Sequence, residues 1–304
     1  MPERLTLGSL AAGEILARLK GPGLYLQTGI FCFAIRSPFA DVAQALERLY
    51  AYHPVAAEAR FADFHVRLAA PPLRRHLRPQ SQFYFDGQTP FKPLPRGQAN
   101  AMLEWGMNWC ITAHAHQHLI LHAASLARDG LGLIMPAPPG SGKSTLAAAL
   151  SFRGWRLLSD ELTLLDRDTG HMAAVARPVS LKNASIEVIR RFVAGAVLSD
   201  VVRDTVKGTV AHLRPPRDSV LQALEPATPR WIVLPRYEAG APAKLMSLPR
   251  ARAFMELAQN AFNYSLQGQA GFEALARLVD ACECYRFSYG NLDDAVATFA
   301  DLAA

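Results

Sequence analysis

The sequence has few cysteines and no long apolar segment. Its four cysteines among 304 residues are too few for a disulfide framework, and none shows the Cys-x-x-Cys spacing of a zinc site. The first 21 residues carry five charged side chains and so lack the apolar core of a signal peptide. An uncharged run at 106–127 contains Asn108, Gln117 and four histidines, which argues against a membrane span. We therefore expect a cytoplasmic protein with reduced thiols and no membrane partner.

The composition is that of a globular chain, with 50% hydrophobic and 19% charged residues. Its length suggests about two domains. The net charge is +6, and the segment 177–218 alone holds eight basic against four acidic residues. Such a segment serves either a phosphate ligand or a solvated surface. Basic and aromatic residues do not interleave there, so we expect no nucleic-acid partner.

The first third of the sequence reads as a small α+β domain, which we place at 1–96. Runs of β-forming residues, amphipathic periodicity and a proline-dense connector at 71–95 are its features. The expected elements are a strand at 24–35, a helix at 41–50 and a short strand at 83–85. A helix at 97–112 then leads into the second domain.

From residue 97 to 304 the pattern predicts a second domain of α/β class. Strands at 119–126 and 131–135 are joined by Arg128-Asp129-Gly130, an Asp-Gly hairpin signal. A loop, a helix at 142–153 and a strand at 155–165 then complete a βαβ unit. The remaining expectations are strands at 231–234 and 284–287 and helices at 251–262, 271–280 and 292–302.

Residues 137–145 read Ala-Pro-Pro-Gly-Ser-Gly-Lys-Ser-Thr, a variant of the phosphate-binding loop with Ala137 at its first position. Glycines allow such a loop to aim backbone N–H groups at one anion, and the following helix adds its positive end. Lys143 is expected to neutralise the β- and γ-phosphates of ATP, and the Ser144 hydroxyl to hold Mg²⁺. The expected nucleotide contacts are Ala137, Pro138, Pro139, Gly140, Ser141, Gly142, Lys143, Ser144 and Thr145.

Two acids follow on the next predicted strand. Asp160 lies 17 residues after Lys143, and Glu161 comes next to it. A carboxylate there could hold Mg²⁺ or accept a proton from an attacking hydroxyl. The other interpretation is a surface acid pair at a strand end.

These residues resemble the HPr kinase/phosphorylase superfamily, which joins a strand histidine, a phosphate-binding loop and an early acid pair. The counterparts here are His122, the loop at 137–145 and Asp160-Glu161. The second acid is Glu rather than Asp, and the family's Glu-x-Arg signature is not recognisable. The chain is most similar to the group called HprK-related kinase A. Its matching blocks are 104–105, 108–110, 137–145, 159–162, 177–183, 207–216 and 262–264.

The resemblance implies a P-loop kinase core of the HPr kinase/PEP carboxykinase type, preceded by a smaller N-terminal α+β domain. It also implies roles for several residues. His122 would lie beside the phosphates and orient the catalytic acid. Lys182 and Lys207 would stabilise the transferring phosphoryl group, and with Arg214 they would contact the acceptor.

The function expected from these observations is an ATP-dependent kinase with a hydroxyl acceptor, either a serine-like side chain of a peptide or protein or a small metabolite. Asp160 is the expected general base, and Ser144, Asp160 and Glu161 are the expected Mg²⁺ ligands. The alternatives are a nucleotide-dependent switch or ATPase that acts through a partner protein, and a non-catalytic phosphate-binding module. A homo-oligomer stays open.

Two further groups of polar residues favour structural interpretations. His114, His116 and His118 alternate and could hold a metal, but they lack a neighbouring acid or cysteine, so a polar element end is the preferred interpretation. Asp293 and Asp294 follow Asn291 where a helix begins, so we expect them in a capped first turn.

Overall fold

The computed structural model describes residues 5–71, 79–138 and 140–304. Pro139 and part of the predicted proline-dense connector lie outside these residues. The helices are α1 (Ala12–Lys20), α2 (Ala40–Leu49), α3 (Ala99–His114), α4 (Lys143–Ser151), α5 (Ala184–Phe192), α6 (Arg217–Leu221), α7 (Arg250–Gln259), α8 (Tyr264–Ala281) and α9 (Leu292–Leu302). Short 3₁₀ turns lie at Leu7–Ser9 and Arg96–Gln98.

The strands belong to three sheets. In chain order they are β1 (Leu24–Thr28), β2 (Phe31–Arg36), β3 (Phe64–Ala69), β4 (Gln80–Phe85), β5 (Leu94–Pro95), β6 (His118–Arg128), β7 (Leu131–Pro136), β8 (Arg156–Ser159), β9 (Leu162–Asp166), β10 (Met172–Ala173), β11 (Val179–Lys182), β12 (Val202–Thr205), β13 (Gly208–Leu213), β14 (Thr228–Tyr237), β15 (Lys244–Ser247) and β16 (Glu283–Tyr289). The chain is thus mixed α/β, as predicted.

The N-terminal sheet runs β1-β2-β3-β4-β5. The prediction of one strand at 24–35 is wrong, because the chain reverses at Gly29 and β1 pairs with β2 in an antiparallel hairpin. Gly29 has φ +56, and a Cβ built there would lie 1.8 Å from the carbonyl oxygen of Ala174. Only glycine lets the hairpin turn approach that segment so closely.

The central sheet runs β10-β9-β6-β7-β14-β16-β15, and β8 also pairs with β6. The predicted hairpin of β6 and β7 is confirmed, with Asp129 and Gly130 both at positive φ as a type I′ turn requires. The helix α4 then leads from β7 to β8. Strands β7, β14 and β16 are parallel, so this part of the sheet has α/β character.

The prediction of one strand at 155–165 is wrong. The segment forms β8 and β9, which both pair antiparallel with β6 and are separated at Asp160 and Glu161. The break places the two acids between strands rather than within one. The other predicted elements of this region are confirmed, with boundaries shifted by a few residues and with α8 beginning at Tyr264.

A smaller sheet, β11-β13-β12, carries the basic segment. Strand β11 pairs antiparallel with β13, with Lys182 opposite Val210, and β12 turns into β13 through Lys207. Lys182 and Lys207 therefore lie at the same end of the strands of this sheet. The strand pairing therefore determines which basic residues of the segment 177–218 lie close together.

The hydrophobic core forms several clusters of buried side chains. One of them joins residues of the N-terminal sheet, such as Phe33 and Phe83, to Met107 of α3 and to Leu162 and Leu164 of β9. Packing is therefore continuous across residue 96, where we place the domain boundary, and the boundary itself stays a prediction. In the described part of the chain no helix is long and apolar enough to cross a membrane.

Candidate functional site

The loop predicted to bind phosphate follows β7 and leads directly into α4, which begins at Lys143. Gly140 and Gly142 both have φ +88, a conformation that favours glycine. A Cβ at Gly142 would lie 2.5 Å from the hydroxyl oxygen of Tyr289, whereas one at Gly140 would meet no described atom within 4 Å. The Tyr289 hydroxyl donates to the Gly142 carbonyl at 3.1 Å, so the loop is held from the β16 side.

Lys143 is the most unusual side chain of this loop. It is 7% exposed, and its Nζ has no hydrogen-bond partner among the described residues. Burial lowers the pKa of Lys143 to about 8, although the nearby carboxylates of Asp160 and Glu161 oppose the shift. A buried ammonium without a partner is costly. It is therefore poised for an anionic ligand, and the Ser141 Oγ of the same loop is also buried with no hydrogen-bond partner in the described part of the chain.

Asp160 lies at the break between β8 and β9 and is 6% exposed. Its Oδ2 accepts a hydrogen bond from the backbone N–H of Ser180 at 2.9 Å. Burial raises the pKa of Asp160 well above its usual range, and the Glu161 carboxylate adds to the shift, while the Ser180 N–H and Lys143 oppose it. A carboxyl group with this shift is suited to exchange a proton near neutral pH.

The pKa of Glu161 shifts in the direction opposite to that of Asp160. Its Oε2 accepts a hydrogen bond from the Asn108 side chain at 2.6 Å, and its Oε1 lies 3.9 Å from the Nζ of Lys207. Burial by itself would raise the pKa of Glu161, but the charges of Lys207, Lys182 and Lys143 outweigh it and lower the pKa. Two adjacent carboxyl groups with opposite shifts are suited to different roles, one ionised and one exchanging a proton.

Asn108 is itself held by a buried polar cluster to which the sequence analysis gave no role. The side-chain oxygen of Asn108, Oδ1, accepts from the Arg177 guanidinium, which also donates to the carboxylate and the backbone carbonyl of Glu104. Tyr50 donates to both Glu104 oxygens, at 2.8 and 2.9 Å. The only signal in the sequence was that Glu104, Asn108 and Arg177 fall in the blocks that carry the resemblance.

The structure brings both predicted lysines toward the acids. Lys207 lies at the turn from β12 to β13, with its Nζ 5.3 Å from the ring centroid of Trp105 and close to Glu161. Lys182 ends β11, and its charge acts on the pKa values of Lys143, Asp160 and Glu161. These lysines therefore form a positive cluster around the acid pair.

Arg214 is not brought to this cluster. It follows the far end of β13, about 20 Å along the strand from Lys207 at the usual rise per residue. Its guanidinium lies over the ring of Tyr52 at 4.8 Å and donates to the Arg48 carbonyl. Arg214 thus packs against the N-terminal segment.

His122 lies on β6, opposite Leu162 of β9. Its backbone N–H donates to the Asn260 carbonyl at 2.6 Å, and its ring lies 5.4 Å from that of Phe262. Burial, together with the charge of Lys143, lowers the pKa of His122 to about 4. The imidazole is therefore neutral at neutral pH beside the lysines and acids.

The alternating histidines and the acids after Asn291 do not belong to this site. His114 stacks on Phe85 at 4.6 Å, and the described residues contain no group of three or more His, Cys, Asp or Glu that could hold a metal by itself. The predicted cap is confirmed, because the Asn291 side chain accepts from the N–H groups of Asp293 and Asp294.

The site fits Mg²⁺ only in company with phosphate. Mg²⁺ is commonly bound by one or two carboxylates together with substrate phosphates rather than by an all-protein cage. Asp160 and Glu161 supply adjacent carboxylates, and the partly buried Ser144 follows Lys143 in the first turn of α4. A phosphate bound there would supply the negative charge that the Lys143 Nζ lacks among the described residues.

Comparisons with known proteins give no match in sequence and a weak similarity in structure. No protein-family model matches the chain, and no curated protein matches it in sequence. Among solved structures it is similar to the HPr(Ser) kinase/phosphatase from Coxiella burnetii, with a TM-score of 0.27 and 13% identity over 60% of this chain and 97% of that chain.

Proposed function

We propose that this protein is an ATP-dependent kinase that transfers the γ-phosphoryl group of MgATP to a hydroxyl acceptor. The observation that supports this most strongly is the buried Lys143, whose Nζ lacks a partner in the described structure while Asp160 and Glu161 contribute charge beside it. A glycine-rich loop at the N-terminus of a helix binds phosphate through its backbone N–H groups. A carboxylate next to it can accept the proton of a reacting hydroxyl.

The loop and its helix bind the nucleotide in this proposal. Backbone N–H groups in the first turn of α4 have no acceptor within the helix and would meet phosphate oxygens. Lys143 would contact the β- and γ-phosphates. Ser144 and Glu161 would hold Mg²⁺, which supplies charge neutralisation at the phosphates when bound.

Asp160 would act as the general base. Its raised pKa favours proton uptake near neutral pH, and its contact with the Ser180 N–H fixes one oxygen. The acceptor oxygen forms a bond to the γ-phosphorus, the bond to ADP breaks, and the hydroxyl proton goes to Asp160. Neutral His122 lies on the facing strand and would orient the acid.

Lys182 and Lys207 would stabilise the transferring group. Phosphoryl transfer spreads negative charge over the equatorial oxygens, and positive side chains there accelerate it. Lys207 is held between Trp105 and Glu161, and its side chain is 39% exposed, so it can reach an incoming acceptor. The acceptor is proposed as a serine-like side chain or a small metabolite, and free buried thiols suit activity in the reducing cytoplasm.

The experiment measures ADP and free phosphate formed from MgATP, with and without a mixture of serine-containing peptides and hydroxylated metabolites. A kinase forms ADP that depends on the mixture and is not matched by free phosphate. Lys143→Met should weaken ATP binding, and Asp160→Asn should retain binding and lose turnover. Exposed residues supply matched controls, Lys244→Met and Asp280→Asn, which should behave as the wild type.

The same assay separates the alternatives. Equal ADP and phosphate, indifferent to the mixture, would contradict the kinase and favour a switch or ATPase. Tight ATP binding without turnover in any preparation would favour a binding module.

A further inference from the structure

The phosphate-binding loop has two different sides in the central sheet. It follows β7, which lies between β6 and β14. On the β6 side are His122 and the acids at the break between β8 and β9. On the β14 side the strand ends at Tyr237, opposite Tyr289 of β16. The reactive groups are therefore all on one side of the loop.

Tyr237 is hydrogen-bonded to the phosphate-binding loop. Its backbone N–H donates to the Ser141 carbonyl at 2.9 Å, and its Cβ would lie 2.9 Å from a Cβ at Gly142. The Tyr237 ring meets the ring of Tyr289 edge-on, with centroids 5.6 Å apart, and Tyr289 is fixed by its bond to Gly142. The aromatic side chain is thus held in place, yet Tyr237 is 50% exposed.

We propose that Tyr237 is the stacking platform for the base of the bound nucleotide. This inference rests on the proposed function, because the terminal phosphate must lie toward Lys143 and the acids. The nucleoside of the same molecule then extends away from them, over β14. A half-exposed, fixed aromatic ring suits a purine, since base–aromatic stacking is favourable and needs no hydrogen-bond pattern.

Phe262 provides a matched comparison on the other side of the loop. It is 48% exposed and lies beside His122, so it equals Tyr237 in exposure and aromatic character but not in position. If any exposed aromatic residue near the site served the base, both would contribute. The proposal assigns the base to Tyr237 alone.

The test compares the affinities of ATP and inorganic tripolyphosphate, each with Mg²⁺, by calorimetry of the full chain. Tripolyphosphate meets the loop but has no base. Tyr237→Ala should weaken ATP binding about tenfold and change tripolyphosphate binding less than twofold. Tyr237→Trp should retain ATP affinity, Tyr237→Leu should lose it as Tyr237→Ala does, and Phe262→Ala should leave both ligands unchanged.

Each contrary result has a distinct meaning. Unchanged ATP affinity in Tyr237→Ala and Tyr237→Leu would overturn the platform while leaving the proposed function standing. Equal losses for ATP and tripolyphosphate would overturn it too, because the residue would then only support the loop. A wild type that binds neither ligand would contradict the proposed function and this inference with it.

Discussion

The side-chain amide of Asn108 donates to the Oε2 of Glu161 at 2.6 Å and joins helix α3 to the acid pair. The other end of the same amide accepts from Arg177, which fixes its orientation. Arg177 is in turn bound to Glu104, and Glu104 to Tyr50 at the end of α2. Residues from the first third of the chain therefore help to position the Glu161 carboxylate.

Replacing Asn108 should impair catalysis more than folding. Asn108→Ala removes the donor to a proposed Mg²⁺ ligand, and such supporting contacts typically contribute tenfold to a hundredfold to metal affinity or activity. We expect a loss of that size in kcat/KM and a higher Mg²⁺ requirement, measured by titrating Mg²⁺ in the turnover assay. In a Glu161→Gln background the same change should cost much less. An equal cost in both backgrounds would contradict the positioning role.

Removing one partner of the buried ion pair between Glu104 and Arg177 should destabilise the fold strongly. Both side chains are nearly inaccessible, at 7% and 6% exposure. Arg177→Met leaves a buried carboxylate without its partner, so we expect the free energy of unfolding to fall by about 3–5 kcal/mol in urea titrations. The double variant Glu104→Leu/Arg177→Met should lose less than the sum of the single variants. Strict additivity would show that the pair is not coupled.

Lowering the pH should destabilise the fold, in part because His53 is buried in its neutral form. Burial lowers the pKa of His53 to about 4, and its Nε2 lies 3.0 Å from the Ala176 carbonyl oxygen. Between about pH 6.5 and 4 the unfolded chain binds this proton and the folded chain does not, so stability falls as pH falls through that window. At pH 5 the loss from His53 should be about 2 kcal/mol relative to pH 7.

The measurement is urea unfolding of wild type and His53→Gln at pH 7 and pH 5. Because other buried histidines shift in the same direction, only the difference between the two proteins reports on His53. His53→Gln should lose about 2 kcal/mol less than wild type over this interval. Parallel losses would show that His53 is protonated in the folded state at pH 5.

Two glycines of the predicted phosphate-binding loop should differ in their tolerance of alanine. Both have φ +88, so each substitution carries a backbone cost of about 1–2 kcal/mol. At Gly142 the new Cβ also meets Tyr289 and Tyr237, whereas at Gly140 it meets no described atom. We expect Gly142→Ala to reduce ATP affinity far more than Gly140→Ala in calorimetry. Equal affinities would contradict the close packing of β14 and β16 on the loop.

Local sequence signals predicted the loop and the hairpin before it. The Asp129-Gly130 turn and the helix at Lys143 follow from glycine positions and periodicity over a few residues. The interruptions at Gly29 and at Asp160-Glu161 were missed, because continuous β-forming residues do not show where a chain reverses or changes its pairing. Those choices depend on Ala174 and on strand β6, which are distant in sequence.

Strand pairing, which the sequence does not show, also decides which basic residues lie around the two acids. Lys182 and Lys207 were predicted from charge and resemblance, and the sheet of β11, β12 and β13 brings them to the acids. Arg214 belongs to the same basic segment, but it is directed to Tyr52 by the opposite end of β13. Sequence distance alone did not separate these residues, because strand pairing decides which end of a segment reaches a site.

The most direct test of the proposed kinase is the phosphorus NMR spectrum of the protein with MgATP and a pool of hydroxylated metabolites and peptides. With a kinase, a new phosphoester resonance should grow as the γ-phosphate signal of ATP declines. The resonance should be absent with Asp160→Asn and with Lys143→Met. A spectrum in which ATP yields only ADP and inorganic phosphate, whatever the pool contains, would contradict the proposed kinase.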